Sequence, residues 1–217
     1  IKGMLSWDTL FCCMKLDEVA LQRFVRDELG QDHTGHGYLH AVRVVKNARK
    51  ILRKEKGDER IIVTACYLHD CIDHKLFDDI EGQKAKVKVF LSSLSYSESE
   101  MSTILFIMEN ISFSSGKSAE LTDSNARIVC DADRLDAVGA IGIIRTIEYG
   151  ASRNRAFYNE KMEIGRLDSI EKDTSLAHFY DKLLKLKNLM FTETAKELAE
   201  ERSLFMEHFL QQFYSEL

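Results

Sequence analysis

The stretch Glu59–Asp73 reads ERIIVTACYLHDCID, a largely apolar run from Ile61 to Leu68 that turns polar at His69 and Asp70. Ile62, Ala65, Cys66, His69 and Asp73 recur at three- and four-residue intervals, one stripe of an α-helix. The spacing predicts a helix over about Glu59 to Ile72, with Asp73 one turn beyond His69 on the same face. A helix this apolar belongs near the centre of a core, and a histidine and an acid at the edge of that core need a polar or cationic partner.

Outward from this helix the same periodicity continues. Upstream, Val44, Val45, Ala48, Ile51 and Leu52 share a face of a helix from about His36 or Tyr38 to Lys54, which Gly57 and Asp58 stop. Before it, Leu16 to Leu29 forms a helix ended by Gly30, and Gln31 to Leu39 is a polar turn. Downstream, a helix is expected over about Gln83 to Leu94. Ser97 with Glu100 makes a capping box that opens another helix through Asn110. Ser112 to Asn125 reads as a loop. Ala126 to Tyr149 reads as one helix whose Gly139 and Gly142 mark close packing, and two more helices span about Ser175–Met190 and Glu193–Tyr214.

Proline is absent and strictly alternating strands are not found, so the fold class is all-α. The length of 217 residues suits one domain. We take it as residues 4–217, with a core over about 31–149 and terminal helices over about 175–216 packed on it. Ile1 to Gly3 precede the first Met and are left out of this reading. Five cysteines, Cys12, Cys13, Cys66, Cys71 and Cys130, include no Cys-x-x-Cys pair, which points to reduced thiols and a cytoplasmic location. No segment has the length and apolarity of a membrane span, so no membrane partner is expected. A net charge of −5 argues against a nucleic-acid surface, and an anionic substrate would need local cations. Oligomeric state is left open.

Two features beyond His69-Asp70 point to a metal. His40 opens an amphipathic helix whose apolar face must meet the helix that carries His69. The segment Cys130–Ala137, CDADRLDA, places three acids in an otherwise apolar helix, where repulsion demands a cation for any carboxylate turned inward. Asp131 has an alternative use as a helix cap.

A His, a distant His-Asp pair and a final Asp, all on helices, resemble the HD-domain metal-dependent phosphohydrolase superfamily. Here they are His40 in HGYLHAVRV, then His69-Asp70, then Asp133 in ADRL. The segments Ser112-Phe113-Ser114 and Asp131 to Ile143, with the terminal helices, are similar to a bacterial HD subfamily of nucleotide pyrophosphohydrolases. Gly37 departs from that subfamily, many members of which carry Asp after the first His.

The resemblance implies an HD-domain helical bundle in which His40, His69, Asp70 and Asp133 hold one divalent ion. Mixed nitrogen and oxygen donors suit Mn²⁺ first, with Co²⁺, Fe²⁺, Ni²⁺, Mg²⁺ or Zn²⁺ as alternatives. The implied substrate is a phosphorylated small molecule, a nucleotide: a nucleoside or deoxynucleoside triphosphate cleaved to the monophosphate and pyrophosphate. Nucleoside monophosphate phosphatase, guanosine tetraphosphate hydrolase and a non-catalytic sensor are the alternatives. The catalytic candidates are Asp73, Lys75 and the metal ligand Asp70; Asp73 stands for the general base, because a helical turn would put it beside His69 and the metal-bound water, and its other use is to bond Lys75 or His74. Lys75 and Arg145 are candidate phosphate clamps. Arg145 has Asp136 as a competing partner, and Arg43 is expected on Asp70 or Asp133. His36, one turn before His40, binds substrate or orients a ligand, or is a loop histidine.

Overall fold

In a computed structural model of the chain, the residues described are 16–30, 37–111, 121–160, 162 and 170–217. His36, Cys12 and Cys13 and most of the Ser112–Asn125 loop lie outside them. The described residues form nine α-helices and no strand. They are α1 Glu18–Leu29, α2 Tyr38–Leu52, α3 Glu59–Leu68, α4 Ile80–Ser93, α5 Glu98–Asn110, α6 Ser124–Asp136, α7 Gly139–Ser152, α8 Ser175–Asp181 and α9 Glu193–Ser215. None is long and apolar enough to cross a membrane.

Side chains fix most helix starts. Asp17, Asp58, Asp79, Asp123, Thr174 and Thr192 each accept a backbone N–H of the first turn. Ser97 and Glu100 form the expected capping box at α5. Every residue of α3 from Ile61 to Leu68 is buried, because α1, α2, α5 and α6 surround it. Helix α2 lies between α3 and α6, so the two sequence-distant segments that carry His40 and the acids meet along one seam. Asn47 of α2 ties that seam by donating to the Ala132 carbonyl at 3.0 Å, and Arg202 of α9 donates to Asn47 Oδ1 at 2.8 Å.

Three expected helices are broken, each at a residue that matters for the site. The helix of the opening stretch stops at Leu68 and continues as a 3₁₀ turn over His69–Ile72. The Cys66 carbonyl, which a continuing α-helix would offer to the Asp70 N–H, accepts from His69 Nδ1 at 2.9 Å. Asp73 is then extended rather than helical, so the premise that placed it one turn below His69 does not hold. The expected helix Ala126–Tyr149 divides after Asp136, because Gly139 takes φ +79 and re-aims the chain into α7. A Cβ on Gly142 would meet the Ala137 carbonyl at 2.2 Å, so glycine there lets α7 fold back onto the end of α6. The expected helix Ser175–Met190 divides at Lys182, whose backbone (φ −132, ψ −61) is not helical, and resumes as a 3₁₀ stretch over Leu183–Leu189.

Candidate metal centre

His40 rises from the first turn of α2, His69 and Asp70 from the 3₁₀ turn after α3, and Asp133 from α6. Their donor atoms converge. His40 Nε2 lies 3.2 Å from His69 Nε2, 3.6 Å from Asp70 Oδ2 and 3.3 Å from Asp133 Oδ1. His69 Nε2 lies 3.4 Å from Asp70 Oδ2 and 3.8 Å from Asp133 Oδ1. Both histidines and Asp70 are buried, while the Asp133 side chain keeps 29% of its surface exposed and opens the cluster to solvent.

The ring tautomers follow from the partners. His69 Nδ1 faces a carbonyl, which only accepts, so Nδ1 carries its proton and Nε2 of the neutral ring is a bare lone pair. His40 Nδ1 donates to Asp136 Oδ2 at 2.7 Å, which leaves its Nε2 in the same state when the ring is neutral. Two nitrogen lone pairs and two carboxylate oxygens then face one another within the width of a single ion. Four acceptors so arranged repel unless a cation sits between them. The donor set therefore fits a divalent ion, and among the described residues the ligand atoms of His40, His69 and Asp133 all lie within 4.8 Å of one another.

Electrostatics agree. Burial opposes a charge on His40, yet bonds to Asp133 and Asp136 outweigh it and push its pKa up to about 9. Burial likewise works against the Asp133 carboxylate, and the two histidines nonetheless hold it far below the usual range. Asp136, also buried, is brought down to about 2 by His40 and Arg43. The carboxylates hold positive charge at this spot, a proton or a metal ion.

Asp136 is the residue that sequence reasoning undervalued. It sits three residues after Asp133 on the same face of α6, and besides His40 it accepts from Arg43 Nε at 2.7 Å and Arg145 Nη1 at 3.0 Å. Arg43 thus pairs with Asp136, not with Asp70 or Asp133 as expected, because it lies one turn after His40 and α2 faces the C-terminal turn of α6. Asp131 points the other way. It is fully buried and accepts from the Phe191 and Thr192 backbone N–H groups and the Thr192 hydroxyl, holding the approach to α9. Asp73 accepts from the Lys75 N–H at 2.8 Å and lies 3.5 Å from His74 Nδ1, its other expected use.

Beside the cluster lies a cavity of about 580 Å³ walled by Lys75, Arg145, Arg153, Arg155 and Lys182, with Tyr149 among the lining side chains and no acid among them. Arg145 belongs to both, bonding Asp136 at the cluster and facing the cavity. Lys182, Arg153 and Arg155 escaped the sequence reading, since only the break at Lys182 and the fold of α7 onto α8 bring them here. Burial lowers the pKa of Lys182, with Asp133 working against that.

Comparison with known proteins agrees with this architecture. The HD domain family matches residues 37–138. YpgQ of Bacillus subtilis is 34% identical over 199 residues, covering 91% of this chain and 92% of that protein. The crystal structure of Bacillus subtilis YpgQ in complex with ADP superimposes with a TM-score of 0.76 at 31% identity, over 94% of this chain and 98% of that one. An HD-superfamily hydrolase from Bacillus thuringiensis gives a TM-score of 0.74 at 38% identity, over 93% of this chain and 98% of that one. On the match to the HD domain and the identity and fold shared with these relatives over nine-tenths of its length, the chain belongs to the HD-domain family and has the fold of the HD-superfamily hydrolases.

Proposed function

We propose that the protein is a metal-dependent phosphohydrolase acting on nucleotides, which cleaves a nucleoside or deoxynucleoside triphosphate to the monophosphate and pyrophosphate. One observation carries the reading: His40, His69 and Asp133, with Asp70 beside them, converge at a spot that suits a cation and adjoin a cavity with five cationic side chains in a chain of net charge −5. Positive charge concentrated against the overall balance matches an oligophosphate. A relative of the same fold has been crystallised with ADP.

In this reading His40, His69, Asp70 and Asp133 hold one divalent ion, Mn²⁺ by preference for mixed imidazole and carboxylate donors. When bound, the ion acidifies water and neutralises charge on a phosphoryl oxygen. Lys75, Arg145 and Lys182 hold the phosphate chain and offset the charge that spreads over it in the transition state, while Arg153 and Arg155 draw the anion in. Asp70, with Oδ2 turned to the ion site between both imidazoles, takes the proton of the attacking water on its other carboxylate oxygen. We assign Asp73 to positioning, since its carboxylate shapes the turn that presents Lys75. Asp136 fixes the His40 ring and its tautomer.

A panel of nucleotides incubated with Mn²⁺, analysed for pyrophosphate against orthophosphate, tests the reading. Pyrophosphate from triphosphates is the expected product, and orthophosphate alone overturns the pyrophosphohydrolase assignment.

A further inference from the structure

A second cavity of about 330 Å³, which shares no lining residue with the large one, lies between α2, the start of α7 and α9. Four cations wall it: Arg43, Lys46 and Lys50, at one-turn intervals along α2, and Arg202 of α9. Lys46 and Lys50 are exposed and make no ion pair or hydrogen bond among the described residues. The one acid on the wall, Asp136, is 2% exposed and already faces His40, Arg43 and Arg145, so its charge is balanced within the protein.

The floor has the same sign. Helix α7, 14 residues long, is preceded by Val138, which offers no side-chain cap, and the first-turn residues Gly139, Ala140 and Ile141 line the cavity. Uncapped N–H groups at a helix start carry partial positive charge. Arg202 is packed against this turn, its Cβ and Cγ 3.1 Å from where a Gly139 side chain would begin. Arg202 is itself held by the Leu135 carbonyl and Asn47 Oδ1, so part of the wall is fixed in advance.

We propose that this cavity is a second binding site for a small inorganic phosphoanion of the orthophosphate or pyrophosphate class, separate from the cavity beside the metal centre. Its volume and the absence of an aromatic ring among its lining residues fit an anion without a base. Arg43 places such an anion one guanidinium away from Asp136, and through it from His40. The inference does not depend on the nature of the substrate.

Isothermal titration of methylenediphosphonate, a pyrophosphate analogue that resists hydrolysis, into the protein as purified tests the site. Wild type should bind two equivalents. Lys46→Ala/Lys50→Ala should weaken one event about tenfold or more and leave the other, and Lys46→Glu/Lys50→Glu should abolish it. Lys75→Ala/Arg155→Ala should remove the complementary event. No event in wild type that responds to Lys46 and Lys50, whether one event or two are seen, with native circular dichroism in both Lys46/Lys50 variants, overturns the proposal. Loss of an event on changing Lys46 and Lys50, with none lost on changing Lys75 and Arg155, instead undercuts the phosphate role of the large cavity.

Discussion

Asp136 Oδ2 accepts the Nδ1 proton of His40 at 2.7 Å, and so determines which nitrogen of that ring faces His69. Arg43 and Arg145 hold the same carboxylate from two other sides. Asp136→Asn keeps the shape and removes the charge. Metal affinity is expected to fall by about 10- to 100-fold with helicity unchanged, as read by competition with a chelating dye. Unaltered affinity would mean that Asp136 serves only to neutralise its arginines.

Two acids two residues apart are expected to fail in different ways. Asp131, buried with at least three donors around it, supports the start of α9, so Asp131→Ala should cost about 2–4 kcal/mol in urea unfolding. Metal content should persist in the folded fraction. Asp133→Ala removes a partly exposed acid from a cluster of acceptors and should leave stability nearly unchanged while metal is lost. The reverse pattern would exchange the roles of the two.

Gly139→Ala tests the corner between α6 and α7. A residue with a side chain at φ +79 is disfavoured by about 1–2 kcal/mol, and the new Cβ would also press on Arg202 at 3.1 Å. Unfolding free energy should fall by that order, and a variant as stable as wild type would show that the corner relaxes.

Glu18 gives a pH dependence whose sign is fixed. It accepts from Arg49 Nη2 at 2.7 Å and from the Tyr67 hydroxyl at 2.6 Å, and the Arg49 bond leads the effects that hold its pKa below the usual value. A carboxylate depressed on folding contributes stability above its unfolded pKa and loses it as pH falls through the folded one. Glu18→Gln should therefore be less stable than wild type at neutral pH by about 1 kcal/mol or less, given its partial exposure. The gap should close toward about pH 3 in urea titrations at several pH values. A gap that persists in acid would assign the effect to packing.

The all-α architecture was legible because helical periodicity and caps such as Asp58 and Ser97 are local signals. His40, His69, Asp70 and Asp133 were legible because acids and imidazoles on apolar helices demand partners, and the fold does gather them. What local pattern could not show was where helices break. The stop at His69 depends on a side chain taking a backbone carbonyl, and it moved Asp73 off the expected face. The corner at Gly139 rests on a positive φ, in a place where a side chain would meet Arg202 of α9, more than sixty residues later. Lys182, Arg153 and Arg155 reach the large cavity through the break at Lys182 and the packing of α7 on α8, and Arg43 found Asp136 because α2 and α6 lie side by side.

Metal content ties these claims together. Protein purified in Mn²⁺ and freed of loosely bound ions should carry one divalent ion per chain by elemental analysis, and His69→Ala/Asp70→Ala should carry none while keeping its helical signal. Equal metal content in the two proteins, or none in either after Mn²⁺ loading, would contradict a centre built from His40, His69, Asp70 and Asp133.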